Sequence, residues 1–141
     1  MILPDVNVLI YAFRRDSPEH IKHKAWLEEA INGAEPYGVA PQVLSSVVRV
    51  TTHPRIFTNP SRLEDALAFS RTILEQPIAT LIVPGERHWQ IFEQLCQGAR
   101  ATGNLVQDAW FAALAIESGC EWITHDRDYA RFDGLRWRPP W

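Results

Sequence analysis

The chain has 141 residues, of which 46% are hydrophobic, and its formal net charge at pH 7 is −3. This length and apolar content predict one globular domain over residues 1–141, and the lack of an apolar run of 18 residues excludes a membrane-spanning helix. Two cysteines without C-x-x-C spacing exclude a disulfide scaffold. No basic region precedes the first apolar segment, so we expect no signal peptide and a cytoplasmic protein.

Strands alternate with helices in the first half of the chain. Hydrophobic periodicity and helix-start residues such as Ser and Pro define the boundaries. The predicted elements are a strand at residues 2–4, a helix at 6–13, a helix at 17–33 with Ser17 as N-cap and Pro18 in the first turn, a strand at 37–40 and a helix from Pro41.

The same alternation continues in the second half. The predicted elements are a helix at 61–77 opened by a capping box of Ser61 and Glu64, a strand at 79–84, a mostly helical segment at 85–103 that ends in a Gly-rich turn, a helix at 104–119 stopped by Gly119, a strand at 120–126, a helical turn at 127–132 and an edge strand at 135–141. Strands alternating with helices predict an α/β fold with a parallel sheet and helices on its faces.

Four aspartates are predicted to lie at one edge of this sheet. Asp5 follows the first strand, and Asp126 and Asp128 follow the strand at 120–126. Asp108 starts the helix that leads back into that strand, so it lies at the same edge. In parallel sheets, ligands bind outside the carboxyl ends of the strands. We therefore expect these acids to meet in one functional site.

Clustered carboxylates repel one another unless a cation lies between them. Mg²⁺ and Mn²⁺ prefer oxygen ligands, and they neutralise charge in phosphodiester chemistry. The acids therefore predict a metal-dependent site acting on phosphate. We also expect Asp108, in the first turn of its helix, to be held in its charged form by the helix dipole.

Each of these residues has a structural alternative. Asp5 fits a helix cap as well as a metal ligand, and for Asp128 the cap of the following turn is the favoured role. Asn7 and Asn104 either orient acids or cap helices locally, and Thr124 either hydrogen-bonds a carboxylate or fills a strand position.

Other side chains form weaker patterns. His20 and His23 have a spacing that can bind a metal, but a solvated helix face is favoured, and the remaining histidines form no pattern. No nucleophile elbow and no glycine-rich phosphate loop is present. Five arginines are candidate phosphate contacts, each with solvated surface as the alternative: Arg14, Arg15, Arg49, Arg55 and Arg127.

Four segments together resemble the PIN-domain ribonucleases, most closely the VapC toxins of bacterial VapBC toxin–antitoxin pairs. They are "LPDVNVLIYAF", "RVTTHPRIF", "GNLVQDAWFAALAIESGCEWITHDRDYARF" and "GLRWRPP", and they span nearly the whole chain. The third segment is the most specific. The resemblance implies a three-layer α/β/α sandwich, Mg²⁺- or Mn²⁺-dependent cleavage of RNA (tRNA or rRNA), a homodimer and a cognate VapB-type antitoxin.

The resemblance also implies roles for individual residues. The metal ligands of the family fall on Asp5, Asp108 and Asp126, with Asp128 assisting, and its supporting Asn and Thr positions match Asn7 and Thr124. One position departs from the family pattern. Many members have a Glu where this chain has Ser46 in "SSVVRV". We therefore expect either a site held by aspartates, with Ser46 acting through a water, or weakened metal binding.

Two other functions stay open at this point. The missing Glu motivates a non-catalytic RNA- or antitoxin-binding domain with a decayed site. The "DVN" that follows the first strand loosely resembles the D-x-D of phosphohydrolases that use a nucleophilic Asp, here Asp5, although Asn7 replaces their second Asp.

Overall fold

The computed structural model describes residues 1–141, with five parallel strands in a single sheet. The spatial order is β3-β2-β1-β4-β5, so the first strand is central and the last lies at one edge. The strands are β1 (Ile2–Pro4), β2 (Tyr37–Val39), β3 (Ala79–Leu81), β4 (Glu121–Ile123) and β5 (Trp137–Arg138). The predicted parallel sheet and edge strand are confirmed.

Six helices flank the sheet and complete the expected three-layer α/β/α sandwich. Helix α1 packs against α2 and α3, α3 against α4, and α5 against α6. The helices are α1 (Val6–Phe13), α2 (His20–Asn32), α3 (Pro41–Thr51), α4 (Leu63–Leu74), α5 (His88–Ala99) and α6 (Asn104–Ser118), and a 3₁₀ turn covers Arg127–Arg131. No helix combines the length and the apolarity needed to cross a membrane.

Two predicted helix starts are wrong. Helix α2 begins at His20 rather than at Ser17, because Glu19 takes a left-handed conformation with φ 49° that interrupts the helix. Helix α4 begins at Leu63 without a side-chain cap. The predicted capping box fails because Ser61 lies outside the helix, where its hydroxyl accepts a hydrogen bond from Arg14 at 3.0 Å.

The end of α6 is where the sequence predicts it. Gly119 has φ 70°, and its N–H donates to the carbonyl of Ile116. A left-handed residue after the last turn is the usual glycine stop. The chain then enters β4 directly, which ties the position of α6 to the sheet.

Helix α6 packs closely on the sheet because most side chains on its buried face are small. Its alanines at 109, 112, 113 and 115 are buried, and Phe111 stacks on Trp122 of β4 with ring centroids 5.7 Å apart. The Trp122 ring in turn packs against the ring of Tyr129 in the 3₁₀ turn, with ring centroids 5.4 Å apart. This packing fixes α6 and the 3₁₀ turn relative to β4, and both carry side chains of the candidate site.

The central strands bring two site residues side by side. Pro4 of β1 is in register with Ile123 of β4, and the Asp5 N–H donates to the Ile123 carbonyl at 2.9 Å. Pro4 lacks an N–H but ends its strand, where the missing donor is tolerated. Asp5 and Thr124 therefore leave the sheet next to each other at its carboxyl edge.

Candidate active site

Asp5 is buried and acts both as a helix cap and as an acid of the site. It is 5% exposed, and one carboxylate oxygen accepts from the Val6 N–H at 2.6 Å, which caps α1. The other oxygen accepts from the Thr124 hydroxyl at 2.6 Å. The two roles weighed for Asp5 are therefore compatible, because the cap turns the carboxylate toward the edge where the other acids lie.

Thr124 joins the ends of β1 and β4. It is 1% exposed, and while its hydroxyl donates to Asp5 it also accepts from the Asp126 N–H at 3.0 Å. A threonine that only filled a strand position would not make both bonds. Thr124 thus holds the Asp5 carboxylate and the backbone of Asp126 in a fixed relation.

Asp126 caps the 3₁₀ turn, which corrects the role favoured for Asp128. The Asp126 carboxylate accepts from the Asp128 N–H at 2.8 Å. Asp128 itself is exposed, and its nearest cationic partner is Arg131 at 3.9 Å. Asp126 faces the site, whereas Asp128 lies outside the cleft.

Asp108 is the fifth residue of α6, just beyond the first turn in which it was predicted to lie. The first turn of α6 contains no acid, so the expected stabilisation of the Asp108 charge by the helix dipole is wrong. Burial raises the pKa of Asp108 above its ordinary value, and the neighbouring charge of Asp126 raises it further. The Tyr129 hydroxyl donates to one Asp108 oxygen at 3.3 Å, which is longer than the usual ~2.8 Å for such a bond.

These side chains surround one cleft with a volume of about 180 Å³. Three aspartates supply negative charge and one arginine supplies the single full positive charge, with amide and hydroxyl groups between them. The lining residues are Asp5, Val6, Asn7, Ser46, Arg49, Asn104, Gln107, Asp108, Phe111, Asp126 and Tyr129.

Two of the acids of the cleft, Asp5 and Asp108, have a raised pKa and so hold protons more tightly than free carboxyls do. Burial raises the pKa of Asp5 to about 6, against the opposing effect of hydrogen bonds from Thr124 and Val6, and the charges of Asp108 and Asp126 add to the rise. Burial also raises the pKa of Tyr129, so its phenol stays a hydrogen-bond donor. The cleft is therefore an environment in which a nearby cation would favour ionised carboxylates.

The donor set fits a hard divalent cation with an incomplete protein shell. No three His, Cys, Asp or Glu side chains anywhere in the chain are grouped closely enough to hold an ion by themselves. Mg²⁺ commonly takes one or two carboxylates and keeps several waters, which a substrate phosphate can replace. The oxygen atoms of the cleft suit that kind of site rather than a closed structural site.

The other predicted site residues fall into two groups. Asn7, Ser46, Arg49 and Asn104 line the cleft, and Ser46 rather than the exposed Ser45 faces it. Arg14 is buried, and its guanidinium donates to Asp16, Ser61 and the Asn59 carbonyl. Three further arginines are exposed and outside the cleft: Arg15, Arg55 and Arg127.

Neither Glu117 nor Glu121 places a carboxylate in the cleft to compensate for Ser46. Glu117 accepts from the N–H groups of Gly85 and Arg87 at 2.6 and 2.8 Å. Glu121 pairs with Arg138 at 3.0 Å. Both carboxylates are engaged away from the cleft.

His23 departs from the solvated helix face predicted for it. It is 2% exposed, and its Nε2 lies 2.9 Å from Nε2 of His125, a pairing that the sequence pattern did not indicate. Its Nδ1 lies 3.0 Å from the Glu19 carbonyl. Burial lowers the pKa of His23, which favours a neutral, structural imidazole.

Gln107, Phe111 and Tyr129 also line the cleft, and none of the three was predicted as a site residue from the sequence. A signal existed for two of them, because residues 104, 107, 108 and 111 fall at i, i+3, i+4 and i+7 and share one helix face. Tyr129 is one of several aromatic residues near the chain end, and its hydroxyl has no sequence signature.

Comparison with known proteins places this arrangement in a family. The family model of the PIN domain matches residues 2–135. The chain is 44% identical over 140 residues to VapC ribonuclease Mb2897 of Mycobacterium bovis, covering 99% of this chain and 95% of that protein. It is 40% identical over 141 residues to ribonuclease VapC25 of Mycobacterium tuberculosis, covering 99% of each.

Solved structures share the fold at low sequence identity. VapBC2 from Rickettsia felis, bound to a DNA fragment from its promoter, matches with a TM-score of 0.72 and 16% identity over 99% of this chain and 98% of that chain. VapBC-1 from nontypeable Haemophilus influenzae matches with a TM-score of 0.70 and 17% identity over the same shares. This chain therefore belongs to the PIN domain family and, within it, to the group of the VapC ribonucleases.

Proposed function

We propose that the protein is a metal-dependent endoribonuclease that acts as the toxin of a toxin–antitoxin pair. One observation carries the proposal. Three aspartates from three separate parts of the chain, Asp5, Asp108 and Asp126, line one small cleft at the carboxyl edge of the sheet. The names of the relatives, all ribonucleases, support RNA as the substrate.

In this proposal Asp5, Asp108 and Asp126 hold Mg²⁺ or Mn²⁺ not by themselves but together with waters and a substrate phosphate, and Asp128 assists from outside the cleft. When bound, such a cation supplies positive charge beside the phosphodiester and makes a bound water more acidic. Asp5 ionises more readily as positive charge approaches, because burial and its acidic neighbours are what raise its pKa to about 6. Thr124 keeps that carboxylate oriented through its 2.6 Å hydrogen bond.

The polar groups of the cleft could bind the phosphates of the RNA backbone. Arg49 is exposed at the cleft and forms no ion pair with the acids around it, so its guanidinium is available to a phosphate. Asn7, Asn104 and Gln107 offer amide donors on the same surface. Binding would thus involve phosphate contacts beside the acids rather than a broad basic face, consistent with a net charge of −3.

The proposal also covers the binding partners of the protein, its RNA target and its location in the cell. The neighbouring solved structures are VapBC assemblies, which supports a VapB-type antitoxin whose basic segment would enter the acidic cleft. We also propose a homodimer, tRNA or rRNA as the target and a cytoplasmic site of action, because cellular RNA is found there.

One observation favours a second candidate, a non-catalytic RNA- or antitoxin-binding domain. Ser46 lines the cleft without a negative charge, where the resemblance to the family leads us to expect a Glu. No observation gives comparable support to the third candidate, a phosphohydrolase that uses Asp5 as its nucleophile. Asp5 is 5% exposed, and each of its carboxylate oxygens already accepts a hydrogen bond.

An RNA cleavage assay separates the two candidates. Antitoxin-free protein is incubated with total cellular RNA in Mg²⁺, in Mn²⁺ and in EDTA, alongside Asp108→Asn and the control Asp133→Asn, which changes an exposed aspartate outside the cleft. We expect discrete cleavage that requires the metal, that Asp133→Asn retains and that Asp108→Asn reduces at least 100-fold, on the order of other losses of catalytic groups. RNA binding without cleavage at any Mn²⁺ concentration would instead identify the non-catalytic domain.

A further inference from the structure

Tyr129 places a hydroxyl group against an acid of the cleft from within the aromatic core. Its side chain is 2% exposed, and its ring packs against those of Trp122 and Phe132, with ring centroids 5.4 and 5.8 Å away. Packing of this kind needs no polar atom, as the buried Phe132 in the same cluster shows. The hydroxyl nevertheless reaches the cleft and donates to Asp108 at 3.3 Å.

Asp108 is the one acid of the cleft that accepts no hydrogen bond from a backbone N–H, so its orientation depends on a side-chain donor. Asp5 accepts from Val6 and from Thr124, and Asp126 accepts from the backbone of Asp128. The Tyr129 hydroxyl is the one hydrogen-bond donor to the Asp108 carboxylate. Without it, no hydrogen bond from the protein would fix the orientation of that carboxylate.

We propose that Tyr129 is a positioning residue, whose hydroxyl orients the Asp108 carboxylate so that its second oxygen faces a divalent cation in the cleft. This inference rests on the proposed function of the cleft. Groups that hydrogen-bond metal ligands from behind commonly change metal affinity by about 10- to 100-fold when they are removed. The 3.3 Å separation leaves room for the pair to tighten when an ion binds.

The test compares two tyrosines that each lose a buried hydroxyl. Tyr129→Phe removes the donor to Asp108. Tyr37→Phe is the matched control, because Tyr37 is also 2% exposed but donates to the Ile73 carbonyl at 2.6 Å, away from the cleft. For both variants, wild type and Asp108→Asn, Mn²⁺ affinity is measured by electron paramagnetic resonance, thermal stability by calorimetry, and RNA cleavage as a function of Mn²⁺ concentration.

We expect Tyr129→Phe to weaken Mn²⁺ binding about tenfold and to raise the Mn²⁺ concentration for half-maximal cleavage by a similar factor, with the maximal rate largely restored at saturation. Tyr37→Phe should lower thermal stability and leave Mn²⁺ affinity within about twofold of wild type. Unchanged Mn²⁺ affinity in Tyr129→Phe, or equal losses in both tyrosine variants, would overturn the positioning role. If one of these two results is found but Asp108→Asn still weakens Mn²⁺ binding, only the positioning role of Tyr129 falls, and the proposed metal-dependent function of the cleft stands. If neither Asp108→Asn nor Tyr129→Phe changes Mn²⁺ affinity, the ion binds elsewhere and both proposals fall.

Discussion

Asp5 serves the site at a cost to the stability of the metal-free fold. Its pKa in the folded protein is about 6, above the ordinary value of 3.8, because it is buried beside other acids. A group with a raised folded pKa stabilises the fold fully below its unfolded pKa, and this contribution is lost as the pH rises through the folded pKa. The loss therefore falls between about pH 4 and pH 6, and it leaves an unfavourable buried charge at neutral pH.

Replacing that charge should stabilise the protein without metal. We expect Asp5→Asn to raise the free energy of unfolding by about 1–3 kcal/mol at pH 7.5 in EDTA, since each pKa unit corresponds to about 1.4 kcal/mol. The gain should vanish near pH 4, where the wild-type carboxyl is already protonated. Urea unfolding at the two pH values measures this, and an Asp5→Asn variant less stable than wild type at pH 7.5 would contradict it.

Ser46 lines the cleft at the position where the resemblance to the family leads us to expect a Glu. We expect Ser46→Glu to add a carboxylate to the metal site and to lower the Mn²⁺ concentration for half-maximal cleavage on the order of tenfold, because ligand charge tunes cation affinity. Ser45→Glu is the control, since Ser45 is exposed and outside the cleft. Equal responses of the two variants in a Mn²⁺ titration would mean that position 46 does not contact the metal.

Single residues also set the limit of sequence-based prediction for this site. The meeting of Asp5, Asp108 and Asp126 in one cleft could be predicted from the sequence. Asp5 and Asp126 follow the ends of parallel strands, and Asp108 lies near the start of the helix that leads into one of those strands. The Tyr129 hydroxyl and the pairing of His23 with His125 could not, because both depend on three-dimensional contacts between segments that carry no local pattern. The role of Asp126 as the cap was missed because either aspartate of "DRD" can start a turn.

At the scale of elements, α6 is the part of the fold that the site depends on most. One of its faces is buried through alanines against the sheet, and another carries Asn104, Gln107 and Asp108 to the cleft. Its end at Gly119 follows from sequence alone, because a glycine after a long apolar helix is the common stop. The start of α2 does not, since a left-handed Glu19 is a conformation that local sequence rules disfavour.

The stop of α6 can be tested with a pair of glycines. We expect Gly119→Ala to lower the free energy of unfolding by about 1–2 kcal/mol, because its φ of 70° strains any residue with a Cβ atom. Gly98→Ala, within α5, should raise it by about 0.5–1 kcal/mol, since alanine favours the helix. In both cases an added Cβ meets no atom within 4 Å, so only the backbone preference differs. Urea unfolding would contradict this if the two substitutions shifted stability in the same direction.

At the scale of the whole molecule, the fold separates a dry core from a polar edge. The apolar cluster runs beneath the helices, while the acids gather where β1 and β4 end. This layout was predictable, because alternating strands and helices give a parallel sheet whose carboxyl ends share one edge. The shape of the cleft was not predictable, because it depends on how closely α3, α6 and the 3₁₀ turn approach one another.

The most direct test of the account is the position of a bound metal in crystals grown with Mn²⁺, located by anomalous X-ray scattering. We predict a peak inside the cleft, with oxygen atoms of Asp5, Asp108 or Asp126 about 2.0–2.3 Å away and waters completing the shell. The same crystals of Asp108→Asn should show a weaker peak or none. An empty cleft at saturating Mn²⁺, or an ion bound elsewhere, in protein that cleaves RNA would contradict the assignment of these aspartates as the metal site.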